Sequence, residues 1–158
     1  MATTRVSRTI NAPIEQVWAT LADFGTTYRW NPEVIHSTSI GDRATGLGAE
    51  RRCELNDTGS KWITEEIVAF DGPGHRYTVK LTGGPSKPPI EEVLVDIGAT
   101  ASTATSTEVT MAATLNGNGP VQRAMATMGA LAMKRVLSRV AAGLEHHLIT
   151  GEDVTSRR

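Results

Sequence analysis

The residue best placed by its surroundings to do chemistry is Arg51. Residues 49–55 alternate between a wholly charged set and a set that contains Arg51, Cys53 and Leu55. Because successive side chains of a strand point to opposite faces, the charged set is expected to face solvent and Arg51 to face the interior. A guanidinium in such an interior can anchor a carbonyl or carboxylate group of a small molecule.

Glu65 is the natural partner for that arginine. It lies on the next predicted strand, residues 61–71, where both alternating sets are partly apolar, so alternation leaves its direction open. If Glu65 shares the interior with Arg51, it can act as an acid or base toward a bound substrate. The competing interpretation is a buried ion pair in which the two residues satisfy only each other. That structural interpretation is favoured, because buried charges are generally paired.

The histidines carry weaker signals. His36 alternates with Val34 and Thr38 and is expected near the mouth of the interior, where a histidine can shuttle protons, although a lone histidine is more often structural or exposed. His146 and His147 are adjacent on a predicted helix, point about 100° apart and cannot both bind one metal ion. No metal site is therefore expected.

Composition excludes several functional classes. The 158 residues carry a net charge of −1, which gives no electrostatic attraction to nucleic acid. The single cysteine, Cys53, excludes an internal disulfide and a cysteine cluster for zinc, and no glycine loop matches a nucleotide-binding motif, so no cofactor is expected. Residues 1–10 lack the apolar core of a signal peptide, and no apolar run approaches the roughly 18 residues of a membrane span. We therefore expect a cytoplasmic protein without integral membrane contact.

These candidates must be positioned by a long helix predicted over residues 121–149. Its second half has apolar residues at intervals of three and four, whereas its first half has almost no polar face and consists largely of small residues and methionines. A helix that is apolar all round must be covered on every side, so the rest of the chain is expected to wrap it as a sheet and to leave a hollow. Met125, Met128, Gly129 and Ala132 then form cavity wall, or else plain packing between helix and sheet.

The rest of the chain is predicted to form seven strands and two short helices. The strands are expected at residues 5–11, 34–40, 49–56, 61–71, 75–82, 90–99 and 106–116. One short helix begins at Pro13 and another covers residues 26–31. Short turns indicate antiparallel neighbours, and helices on one face of such a sheet give an α+β architecture. One domain is expected over residues 1–151, with a frayed tail at residues 152–158.

Six short motifs carry a family resemblance. They are Ala12-Pro13-Ile14-Glu15-Gln16-Val17-Trp18, Asp23-Phe24, Trp30-Asn31-Pro32-Glu33-Val34, Gly46-Leu47-Gly48-Ala49-Glu50-Arg51, Thr64-Glu65-Glu66-Ile67 and Tyr77. In this order they resemble the START and birch-pollen-allergen superfamily, also called SRPBCC, and its bacterial subgroup of polyketide cyclase/dehydrase and lipid-transport-like proteins. The resemblance implies a helix-grip fold, in which a seven-stranded curved antiparallel sheet wraps a long C-terminal helix.

The resemblance also implies roles for two residues. In the allergen branch, an acidic residue and a tyrosine at matching positions line the cavity, which implies that Glu65 and Tyr77 do so here. Tyr77 can then donate a hydrogen bond to a ligand oxygen or, equally, to Glu65. Members of the superfamily bind hydrophobic small molecules between sheet and helix, and some catalyse cyclisation or dehydration there.

The leading hypothesis is a protein that binds a hydrophobic or amphipathic small molecule, polyketide-like or lipid-like, and orients its polar end with Arg51, Glu65 and Tyr77. The alternative is a cyclase, aromatase or dehydratase in which Glu65 moves protons and Arg51 and Tyr77 stabilise an enolate. A partner-binding surface ranks last, and the sequence suits a monomer or a homodimer. The residues expected to contact the ligand are Trp30, His36, Cys53, Leu55, Ile63, Ile67, Val79, Met125, Met128, Gly129 and Ala132.

Overall fold

The computed structural model describes residues 1–154. One strand is followed by two short helices, six further strands and a long helix. The elements are β1 (Ala2–Ile10), α1 (Ile14–Ala22), a 3-10 segment (Phe24–Arg29), β2 (His36–Ile40), β3 (Glu50–Glu54), β4 (Trp62–Asp71), β5 (Arg76–Gly83), β6 (Glu92–Thr103), β7 (Ser106–Asn116) and α2 (Gly119–Thr150).

The seven strands form one antiparallel sheet. Its order is β1-β7-β6-β5-β4-β3-β2, so each strand from β2 to β7 pairs with the next in sequence and β1 returns to pair with β7. The long helix α2 packs against β1 and β7. A curved antiparallel sheet around a long C-terminal helix confirms the predicted α+β helix-grip fold.

Predicted strand boundaries agree with the structure to within four residues, and two of the differences have local causes. The second strand begins at His36 rather than two residues earlier, because the Val34 amide donates to the Asn31 carbonyl (3.2 Å) and closes a turn. The sixth strand continues to Thr103, since the polar segment after residue 99 extends the hairpin, which ends where Thr103 and Ser106 share a hydrogen bond (2.8 Å) between their hydroxyl groups.

A bulge in β4 explains why alternation was ambiguous in that strand. The register with β5 shifts between Ile67 and Ala69, so Val68 is an extra residue. Glu65 and Ile67 are buried before the bulge, and Phe70 packs against the core after it despite having the opposite parity. The interior of β4 is therefore built from both alternating sets.

The first half of α2 is not covered on every side, which corrects the expectation from its composition. Val121, Met128 and Leu131 are 74%, 72% and 73% exposed. The buried residues of this half include Ala126 and Ala130, and their small side chains leave space between the helix and the sheet beside them. The sheet covers one side of this half and leaves the other side exposed.

The second half of α2 is fixed by a close approach at Gly143. A Cβ atom at this position would lie 2.5 Å from the Trp30 carbonyl oxygen and 2.6 Å from Pro32 Cδ. One turn away, the Arg139 guanidinium donates to the Glu33 carboxylate, with Nε and Oε1 2.6 Å apart. The segment of residues 30–33 is thus held directly on the helix.

Gly143→Ala is expected to lower the free energy of unfolding by about 1–3 kcal/mol, because the added Cβ meets backbone that cannot rotate away. The matched control is Gly129→Ala in the same helix, where the added Cβ meets only the flexible end of Leu115, 2.9 Å away. Alanine is also favoured over glycine in a helix by about 1 kcal/mol, so the control is expected to be neutral or stabilising. Urea denaturation of both variants is the measurement, and equal losses in the two would contradict the packing argument.

The end of the chain is packed as far as residue 154. Arg29 Nε donates to Asp153 Oδ1 (3.1 Å), and Val154 is buried. Residues 152–154 are therefore not the frayed tail that the sequence suggested, and residues 155–158 lie outside the described part of the chain. Among the described helices, none has the length and apolar character needed to cross a membrane.

Candidate functional site

A cavity of about 440 Å³ lies between the inner face of the sheet and α2. The helix contributes Met133, Val136, Leu137 and Val140 to its wall, and the strands supply further apolar side chains. This stretch belongs to the periodic second half of α2, so the hollow lies farther along the helix than the sequence suggested. The apolar wall means that a molecule in the cavity would be held mainly by burial of its own apolar surface.

The buried charged residues of the wall are Arg51 and Glu65, which form an ion pair. These residues are direct cross-strand neighbours on β3 and β4, and both are buried. The Arg51 Nε donates to Glu65 Oε2 at 2.7 Å, and Nη2 lies 2.5 Å from the same oxygen. Arg51 Nη1 donates to the Phe24 carbonyl (3.0 Å), and the guanidinium carbon lies 3.8 Å from the centre of the Phe24 ring. The arginine is therefore held rigidly from three sides.

Burial and the ion pair act in opposite directions on Arg51. Burial is the largest single effect and disfavours the charged form, but the interactions with Glu65, Cys53 and Tyr77 together outweigh it, and the pKa of Arg51 is raised. Burial, followed by the Glu65 charge, raises the pKa of the neighbouring Cys53 to about 12. The thiol is consequently protonated and unreactive at neutral pH.

Two polar atoms of the site remain without protein partners. The hydrogen bond from Arg51 Nε and the ion-pair contact from Nη2 both reach Glu65 Oε2, and Oε1 accepts no hydrogen bond from residues 1–154. Trp30 also lines the cavity, and its buried Nε1–H has no acceptor within the described chain. Buried polar groups are nearly always hydrogen-bonded, so an unpaired donor and an acceptor with spare capacity in one cavity wall require an explanation.

Tyr77 faces the interior but does not line this cavity. Its hydroxyl donates to the Leu21 carbonyl at 3.0 Å, and its ring lies among Trp18, Phe24 and Phe70. Burial raises the pKa of Tyr77 to about 12. Its one donor therefore serves the backbone of α1 rather than Glu65 or the cavity.

The apolar candidates fall into three groups. Trp30, Leu55, Ile63 and Val79 line the cavity. Cys53 and Ile67 are buried in the core behind it. The third group lines a separate space of about 270 Å³ beneath the first half of α2, which shares Pro88, Met133 and Val136 with the main cavity. Its members are Met125, Gly129 and Ala132.

The structure places two expected cavity residues at the surface instead. Met128 lies on the uncovered side of α2. His36 is exposed beside Tyr28, with 5.3 Å between ring centres, while the next residue, Ser37, is buried and donates to the Gly25 carbonyl (2.6 Å). The prediction for His36 assumed that the alternation begins at Val34. The turn before β2 interrupts this alternation, so His36 points to the surface instead of the cavity.

Several lining residues were missed by the sequence analysis. They include Leu81 on β5, Val95 and Ile97 on β6, and Met111 on β7. Period-two alternation within β5 and β7 carried the signal for Leu81 and Met111, since the buried residues of these two strands repeat at every second position. The small residues of α2 directed the prediction to the first half of that helix, which borders the separate, smaller space.

Stability is expected to fall in alkali because of the two buried acids next to Arg51. The pKa values of Cys53 and Tyr77 rise from 9.0 and 10.0 to about 12 on folding. Their stabilisation is complete below about pH 9 and is lost as the pH rises toward 12, since the unfolded chain releases these protons first. Urea denaturation across this range is the measurement, and Cys53→Ala should reduce the slope. A free energy of unfolding that stays constant to pH 12 would contradict the burial assignment.

Comparisons with known proteins support this architecture. Residues 1–148 match the sequence profile of the family described as "Polyketide cyclase / dehydrase and lipid transport". No curated protein matches the chain. A START superfamily protein from Mycobacterium smegmatis has a TM-score of 0.70 at 15% identity, covering 94% of this chain and 97% of its own.

Two further solved structures have the same fold. A protein from Thermobifida fusca has a TM-score of 0.75 at 22% identity, covering 94% of this chain and 93% of its own. The protein Ara h 8.0201 has a TM-score of 0.71 at 15% identity, covering 94% of this chain and 97% of its own. These identities establish the fold alone. The profile match over nearly the whole chain shows that this protein belongs to the polyketide cyclase/dehydrase and lipid transport family.

Proposed function

We propose that this protein binds a hydrophobic or amphipathic small molecule, polyketide-like or lipid-like, in the cavity between the sheet and α2. The apolar wall buries the body of the ligand, and Arg51 and Glu65 orient its polar end. The family description names both polyketide chemistry and lipid transport, and a cavity of this kind suits either class.

The observation that carries the proposal is the combination of the cavity's volume and lining. About 440 Å³ is enclosed mainly by aliphatic side chains, with one buried ion pair in the wall. Ligand sites typically enclose roughly 300–1,000 Å³, with apolar walls and a few fixed polar groups that orient the bound molecule. Empty apolar space of this size loses packing energy, so an occupant of matching shape would stabilise the fold.

The first experiment is native mass spectrometry of the purified protein, with a denatured sample as control. A small molecule of defined mass that is present only in the native sample would support the proposal and give the ligand class. If the protein is empty, the same instrument is used to titrate it with long-chain alcohols and aromatic polyketides. Failure of every such compound to bind would overturn the proposal.

An enzymatic role is the second candidate, favoured by the spare oxygen of Glu65. A base in the cavity wall could remove a proton next to a substrate carbonyl while Arg51 stabilises the resulting enolate. Tyr77 has no part in this scheme, because its hydroxyl is bonded to Leu21. Binding is ranked first because it requires no proton transfer between Glu65 and a substrate. Of the three residues assigned to the ligand, only Tyr77 is lost, and Arg51 and Glu65 remain in the cavity wall.

Glu65→Gln separates the two roles. A binding protein should keep most of its affinity, whereas an enzyme should lose turnover while binding is retained. The variant also removes the carboxylate that neutralises Arg51, so circular dichroism and thermal unfolding must first establish that it folds. Loss of turnover in a folded variant that still binds would favour the enzyme.

A further inference from the structure

We infer that the cavity selects a neutral ligand whose polar end donates a hydrogen bond, such as an alcohol or a phenol, over a ligand that ends in a carboxylate. This inference rests on the proposed function and specifies its ligand class. It follows from the charge that the Arg51–Glu65 pair already neutralises and from the hydrogen-bonding groups that the pair leaves unused.

The positive charge in the wall is already neutralised. Within the described chain, Arg51 is the one cationic side chain that lines the cavity, and its Nε and Nη2 both point to Glu65 Oε2. A ligand carboxylate would therefore bring a second negative charge next to Glu65 without a free cation to compensate it. Burying an unpaired charge is far more costly than burying a hydrogen-bonded neutral group.

The nearby cations do not alter this balance. Arg139 is exposed and donates to Glu33, another residue of the cavity wall, across 2.6 Å. Lys87 adjoins the wall residues Ser86 and Pro88, but its Nζ donates to the Ile90 carbonyl at 3.1 Å. Neither side chain is placed to neutralise an anion beside Arg51.

The unused hydrogen-bond donors and acceptor of the site match a hydroxyl group. Glu65 Oε1 accepts no hydrogen bond from residues 1–154, so it calls for a donor. Arg51 keeps N–H groups beyond those bonded to Glu65 and Phe24. A hydroxyl can donate to the glutamate and accept from one of these N–H groups at the same time. A carboxylate or an ester can only accept.

The test compares decanol, decanoate and methyl decanoate by isothermal titration calorimetry of the wild-type chain at neutral pH. Decanol is expected to bind at least about tenfold more tightly than either of the others. The ester is the decisive control, because it is neutral and more apolar than the alcohol but has no proton for Glu65. Equal or tighter binding of the ester would show that burial alone sets affinity and would overturn the donor requirement.

The binding of decanoate and the Glu65→Gln variant complete the test. Tighter binding of decanoate than of decanol would overturn the inference while leaving the proposed function intact, whereas binding of none of the three compounds would overturn both. In Glu65→Gln the ratio of decanol to decanoate affinity is expected to fall at least about tenfold, because Arg51 is then free to pair with the acid. An unchanged ratio in the folded variant would also overturn the inference, and the wild-type comparison stands if that variant does not fold.

Discussion

Arg51→Met is expected to lower the free energy of unfolding by about 3–5 kcal/mol, the largest loss that any single substitution in the cavity wall should produce. The substitution leaves the buried Glu65 carboxylate without the hydrogen bond and the ion-pair contact that reach its Oε2. It also removes the donor to the Phe24 carbonyl. A buried charge without its partner is costly because neither water nor protein replaces the lost interaction.

The double variant Arg51→Met/Glu65→Leu is expected to recover most of that loss. Replacing a whole buried ion pair with apolar residues of similar size is often neutral or stabilising, because both desolvation costs disappear together. Urea denaturation of the wild type, the two single variants and the double variant forms a double-mutant cycle that isolates the coupling between the residues. Additive losses, with the double variant less stable than either single variant, would contradict the description of this pair as mutually dependent.

The same double-mutant cycle tests whether the Arg51–Glu65 ion pair is present for stability. If an apolar pair supports the fold equally well, then stability alone does not account for an arginine and a glutamate in the wall. The double variant should then fold but lose its preference for a ligand with a hydroxyl group. Stability and selectivity would thus be separated in one protein.

Much of the fold could be predicted because each element carries its own local signal. Glycine-rich turns separate the strands, period-two alternation sets the faces of β3, and the leucine and valine repeat marks the second half of α2. These signals are short-range and do not depend on distant partners. The pairing of Arg51 with Glu65 does not follow from these signals alone, because alternation leaves the direction of Glu65 open and the family resemblance supplies it.

The parts of the site that could not be predicted depend on distant contacts. The bulge at Val68 changes which residues of β4 face inward, and only the register with β5 reveals it. Tyr77 was expected at the ligand, but its hydroxyl reaches a carbonyl of α1 that lies far away in the sequence. The exposure of Met128 depends on which side of α2 the sheet covers, and composition alone contains no such information.

Val95→Trp is expected to weaken ligand binding by roughly a hundredfold, which corresponds to about 3 kcal/mol. Val95 lies on β6 between Val79 of β5 and Ala113 of β7, and it lines the middle of the cavity. An indole there occupies space that the apolar body of a ligand needs. The protein should still fold, because the new side chain fills an existing cavity before it crowds its neighbours, and any overpacking should cost only about 1–3 kcal/mol.

The measurement is displacement of the neutral fluorescent probe N-phenylnaphthylamine, followed by calorimetry with decanol. Val68→Trp is the matched control, since it makes the same substitution in the same sheet at a position that is exposed and outside the cavity wall. Val136→Trp tests the opposite wall from α2 and should reproduce the loss. If both cavity variants bind as tightly as the control, the ligand must lie elsewhere, for instance on the uncovered apolar side of α2. A loss confined to the two cavity variants would instead locate the ligand between the sheet and the helix.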